Sequence, residues 1–169
     1  MKKLIITSIF LLISLQMISQ EKKLYIYTDI INQVWKPFKK SFDNKNAIVF
    51  NNIHTNDILR INSWGIKKGD VYKKNIIKNY NLPSKNTRTI DFWIEQGVYS
   101  DSISHQIGYY AVTYKEKKAK TNKVTYAQFQ VTLIKVNGTW KISQDFDTDM
   151  VGGKKVDASF IKNLEKLKL

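Results

Sequence analysis

Three features of this 169-residue chain predict an α+β fold, with N-terminal helices packed on a strongly curved antiparallel sheet. Apolar residues recur at helical spacing in three runs between Leu24 and Tyr80. After Asn86 the period drops to two, and an Asn137-Gly138 pair joins two of the alternating runs.

The first twenty residues are expected to lie outside the fold. Lys2 and Lys3 precede an uncharged stretch, positions 4–18. That is the length of a secretory signal's apolar region and shorter than the roughly 20 residues of a membrane span. Residues 1–20 are therefore read as an export signal, cut near Ser19 or Gln20. Residues 21–150 form one domain, and 151–169 a helical tail with Phe160, Ile161, Leu164 and Leu167 at helical spacing. The mature protein is expected to be periplasmic or secreted, without stable membrane anchoring.

The first helix carries Tyr27, Ile31, Val34, Trp35, Phe38 and Phe42 on one face, and Pro37 predicts a kink or break within it. Asp43 is placed to cap a short second helix that buries Ala47, Phe50 and Ile53. A short strand follows at 57–61. Gly69-Asp70 opens a third helix with Val71, Tyr72, Ile76, Ile77 and Tyr80 on one face, and Pro83 stops it.

Four strands are then expected at 87–98, 102–115, 123–136 and 139–147. The Asn137-Gly138 turn sets Leu133 opposite Ile142, Val131 opposite Gln144, and Phe129 opposite Phe146, all on the core face with Trp140. Asp145 and Asp147 then point outward into solvent. A two-residue turn at Ser100-Asp101 would pair Ile94 with Ile107, Phe92 with Tyr109 and Ile90 with Ala111. Gln96 and His105 become a polar pair on that oily face, whereas Trp93 and Tyr110 fall on the outer one.

Composition narrows the chemistry. The chain has no cysteine, which excludes disulfides, thiolate metal sites and a cysteine nucleophile. The net charge is +14, yet 26 of the 28 basic residues are lysine and only Arg60 and Arg88 are arginine. Base readout and phosphate clamps favour arginine, so the charge reads as a solvated lysine surface and not as a nucleic-acid site. Two histidines without a carboxylate motif predict no metal site. No glycine-rich phosphate loop, dinucleotide fingerprint or nucleophile elbow is present, and no cofactor is expected.

His105 is the candidate general base, held by Gln96. His54, Trp64, Tyr72, Tyr109 and Gln144 are the remaining candidate pocket residues, and Trp93 and Tyr110 the candidate dimer face.

The segments DSISHQIGYYAVTY (101–114) and TYAQFQVTLIKVNGTWKISQDFDTD (125–149) resemble the nuclear transport factor 2-like superfamily. The closer likeness is to its polyketide-cyclase-like (SnoaL-like) and function-unknown bacterial branches. The resemblance implies a cone-shaped fold, a ligand held between helices and sheet, and a homodimer through the sheet. It also implies a Glu where this chain has Gln106, which the expected register places on the outer face. The reading is an exported small-molecule-binding domain. The alternatives are a cofactor-free lyase or isomerase with His105 as base, and a non-catalytic dimerisation or assembly module.

Overall fold

The computed structural model describes residues 20–83, 86–116 and 121–169. The expected signal segment, residues 1–19, and positions 117–120 of the lysine-rich connection lie outside them. Among the described residues no helix is long and apolar enough to cross a membrane.

Helix α1 spans residues 20–43 and does not break at Pro37. Its turn widens instead, over Ile31–Trp35, where the Lys36 N–H donates to the Ile31 carbonyl five residues back. Pro37 has no N–H, and its ring crowds the carbonyl four residues earlier; one wide turn relieves both problems. Helix α2, Ala47–Asn52, is capped by the Asn46 side chain, which accepts from the Val49 N–H at 3.0 Å. Asp43, the expected cap, instead accepts from the Ile90 N–H at 2.9 Å and ties α1 to the sheet. Helix α3, Gly69–Tyr80, buries Tyr72 and Tyr80 and leaves Val71 and Ile77 exposed.

The strands are β1 (His54–Asn62), β2 (Gly65–Lys68), β3 (Asn86–Tyr99), β4 (Ile103–Glu116), β5 (Lys123–Val136) and β6 (Thr139–Thr148). They form one curved sheet in the order β2-β1-β6-β5-β4-β3. The sheet is mixed: β1 runs parallel to β6, and the other pairs are antiparallel. Helices cover its concave face around Ile30, Val34, Trp35, Phe92, Leu133, Trp140 and Ile142.

Two bulges overturn the expected facing of side chains. In the β5–β6 hairpin, Leu133 does pair with Ile142, but Ser143 is then an extra residue, so Thr132 faces Gln144, Val131 faces Asp145 and Phe129 faces Asp147. The Ser143 hydroxyl donates to the Thr132 carbonyl at 3.1 Å and holds the bulge. Beyond it every side chain changes face. Asp145 and Asp147 therefore point inward, and Gln144 points outward.

In the β3–β4 hairpin the turn is Asp101-Ser102, closed by the Ser100 N–H on the Ile103 carbonyl at 3.0 Å. A bulge at Glu95 then sets Ile94 opposite Gly108, Phe92 opposite Tyr110 and Ile90 opposite Val112. Gln106 and Tyr110 turn inward, while Gln96, His105 and Tyr109 turn outward. Gly108 permits the close approach there: a Cβ on it would sit 2.1 Å from the Trp93 carbonyl oxygen.

After β6 come a ribbon of β7 (Met150–Val151) and β8 (Lys154–Lys155) and a single short turn, Ala158–Ile161, capped by Asp157. The expected tail helix does not form. The segment runs back over the outer sheet face, and the Leu167 N–H donates to the Phe92 carbonyl at 2.8 Å.

Candidate functional site

Between the helices and the concave face lies a cavity of about 330 Å³. Its walls are aromatic: Trp35, Phe38 and Phe42 from α1, Phe50 from α2, Tyr72 and Tyr80 from α3, and Phe92, Tyr110 and Phe129 from the sheet. The widened turn in α1 sets Trp35 at the base, where its indole N–H donates to Gln106 Oε1 at 2.8 Å. Gln106 is fully buried. A Trp anchored this way cannot swing out to fill the space beside it.

One wall is polar. Arg60 on β1 sits beside the inward carboxylates of β6, 2.9 Å from Asp145 Oδ1 through Nη1 and bonded to Asp147 Oδ2 through Nη2. The Tyr110 hydroxyl from β4 donates to the same Asp147 oxygen at 2.7 Å. Burial pushes the Asp145 carboxyl above its usual range, against the pull of Arg60. Burial first, and Asp147 second, also raise the Tyr110 phenol, so it stays a proton donor at neutral pH. Tyr72 is raised by burial and by Asp145. The wall therefore offers two carboxylates in unlike settings, one guanidinium and protonated phenols.

The candidates from the sequence are scattered by the same geometry. Tyr72 and Trp64 both line the cavity; Trp64 stands at its rim on the β1–β2 turn and is 88% exposed. His54 is sealed in the core among Phe38, Phe50 and Tyr72, with Nδ1 2.7 Å from the Phe50 carbonyl. Burial lowers its pKa to about 3. His105, Gln96 and Gln144 are exposed, and His105 Nδ1 lies 3.2 Å from the Thr132 hydroxyl on the outer face. The two bulges are the reason, and they remove His105 from any role inside the cone.

Tyr109 is buried on the outer face beneath Phe160, with ring centroids 5.8 Å apart, not in the pocket. Tyr110 is the reverse: expected outside, it is a cavity residue. Trp93 does lie outside, bridged to Lys166 of the tail. Sequence reasoning missed Arg60, Asp145, Asp147 and Tyr110 as a group. A signal existed, because both arginines of a lysine-dominated chain line this cavity. Among the described residues no cluster of three or more His, Asp or Glu is arranged to hold a metal ion.

No protein-family model matches the chain, and no curated protein does. Solved structures do match in shape. A protein of unknown function from Shewanella oneidensis, itself described as NTF2-like, is 18% identical, with 72% of this chain and 98% of that one covered at a TM-score of 0.57. A scytalone-dehydratase-like protein from Novosphingobium aromaticivorans is 17% identical, with 82% and 94% covered at a TM-score of 0.62. A superfamily protein from Salmonella enterica is 14% identical, with 80% and 96% covered at 0.59. The fold is that of the nuclear transport factor 2-like superfamily. In this chain, then, the cone of that fold is a cavity with an aromatic lining and one polar wall, built where β1 and β6 run side by side.

Proposed function

We propose that this chain is an exported domain that binds a small molecule in the cone. The ligand's apolar body lies against Trp35, Phe92 and Phe129, and its polar end bonds to Asp147 and Tyr110. The observation that carries the reading is the Arg60–Asp145–Asp147–Tyr110 cluster on the wall of an otherwise aromatic cavity. Export rests on the Lys2-Lys3 start and the uncharged stretch after it.

Native mass spectrometry of the protein purified from its own host tests both parts. The expected result is a chain beginning near Gln20 or Glu21 with a retained small molecule. Asp147→Asn should lower occupancy about tenfold, because a charged acceptor becomes a neutral one, and His105→Gln should leave it unchanged. Equal occupancy in all three proteins would overturn the ligand assignment.

Asp145 supports a second reading, a cofactor-free lyase or isomerase. Its carboxyl, raised by burial, lines the cavity two residues from Asp147, so the wall brings two carboxylates to one ligand. A structure of the same fold described as a scytalone dehydratase makes dehydration the reaction to assay first. In this reading Asp145→Asn abolishes turnover and spares binding.

A further inference from the structure

Arg88 is the second arginine of the chain and lines the cavity away from the carboxylate wall. Arg60 is neutralised by two carboxylates; Arg88 is not. Among the described residues no carboxylate is in ion-pair reach of Arg88. The guanidinium is clamped between rings, its Cζ 3.9 Å from the Phe42 centroid and 4.6 Å from that of Tyr80. Nε donates to the Phe42 carbonyl at 3.2 Å, and Nη2 is buried with no hydrogen-bond partner. The Tyr80 hydroxyl lies beside the guanidinium and interacts with it weakly, but outside full hydrogen-bond geometry, so neither it nor Nη2 is satisfied. Asp43 is the acidic group that bears on Tyr80, but its carboxylate is engaged by Lys39 and the Ile90 N–H.

A buried donor on a permanent cation is costly when unmet, and the rings on either side compensate only part of the lost hydration. Burial and ring clamping leave the guanidinium preformed for an acceptor that arrives through the cavity. The other cations lining the cavity, Arg60 and Lys67, sit opposite each other on the β1–β2 ladder, so at Arg88 one guanidinium balances one negative charge. A phosphate dianion would bring an excess charge into an aromatic niche, whereas a carboxylate would not.

We infer that the cone takes a small organic monocarboxylate, its carboxylate on Arg88 and its apolar body running toward the Asp147–Tyr110 wall. This rests on the reading of the cone as a small-molecule site. Arg88 pairs with Tyr114 across the β3–β4 ladder, four residues beyond Tyr110. The two poles are thus roughly 13 Å apart along the strand before side chains reach inward. A ring between a carboxylate and a hydroxyl or carbonyl spans what remains.

Matched pairs test it on the intact protein: benzoate, phenylpropanoate and para-hydroxycinnamate, each against its primary amide, with affinities from quenching of tryptophan fluorescence and from calorimetry. Each acid that binds should do so at least about tenfold more tightly than its amide. Arg88→Gln should erase that preference, bringing each acid to the affinity of its amide in the same variant. Arg88→Lys, which keeps the charge and loses the fork, should retain part of the preference and guards against a misfolded Gln variant. Equal binding of acids and amides, or a preference that survives Arg88→Gln, overturns the carboxylate inference and leaves the cone reading intact. Failure of every acid and every amide to saturate overturns the cone reading itself, and this inference with it.

Discussion

His54 is an imidazole sealed among three rings, with its Nδ1 proton given to the Phe50 carbonyl and its Nε2 unpartnered. Protonation would put a charge there that nothing nearby can balance, which is why its pKa falls to about 3. In the unfolded chain the same group titrates near 6.5. Below that pH the unfolded state binds a proton that the folded state refuses, so stability is full above pH 6.5 and falls as pH drops toward 3. The slope approaches 1.4 kcal/mol per pH unit, about 2 kcal/mol by pH 5. Asp145 acts with the opposite sign. Its carboxyl is raised in the fold, so in the window between the usual 3.8 and the raised value the folded state holds the extra proton, and acid favours it. His54→Asn, whose amide can still donate to Phe50, should therefore flatten the loss between pH 7 and pH 5, measured as urea midpoints. An unchanged loss would mean that some other group carries the acid sensitivity.

At the level of elements, much is legible in the sequence alone. Expected strands at 87–98, 102–115, 123–136 and 139–147 lie within about a residue or two of β3 to β6 at each end, because alternation and an Asn-Gly turn are local signals. The bulges were not legible, since an extra residue leaves the composition unchanged. At Ser143 it depends on one hydroxyl reaching the Thr132 carbonyl, and at Glu95 on the absence of a Cβ at Gly108. Each one-residue slip inverts a whole stretch, so the expected pocket residues His105, Gln96 and Gln144 went outside and the expected solvent residues Asp145 and Asp147 went in. The parallel β1–β6 pair, which sets Arg60 against Asp145, is non-local and has no sequence signal of its own. Gly108→Ala tests how much the first bulge matters. The new Cβ would meet the Trp93 carbonyl oxygen at 2.1 Å and the Phe129 ring at 2.8 Å, and neither backbone nor core can yield freely. A loss of at least about 2 kcal/mol in urea unfolding is expected. A near-neutral result would show that β3 and β4 can separate without cost.

For the whole molecule, the decisive feature is that the C-terminal segment covers what the sheet would otherwise leave open. Strand β3 ends the sheet order, so its outer edge has no strand partner of full length. The tail supplies a partial one: Leu167 donates to Phe92, Trp93 bridges to Lys166, and Lys166 stands 3.6 Å from Asp91. Phe160 lies over Tyr109, while Leu167 and Leu169 pack against the main core. The outer-face region where Trp93 lies, read from sequence as a dimer contact, is thus partly occupied by the chain itself. Removing residues 151–169 should uncover the Tyr109 ring and free the Phe92 carbonyl on an exposed edge, a template for pairing with another copy. The truncated chain is expected to unfold at lower temperature than the whole protein and to sediment faster as its concentration rises. A synthetic peptide of residues 151–169 in excess should restore the sedimentation of the whole chain by refilling the edge. If truncation leaves both melting and sedimentation unchanged, the tail is an ornament on an edge that protects itself, and the packing of Phe160 on Tyr109 contributes nothing measurable.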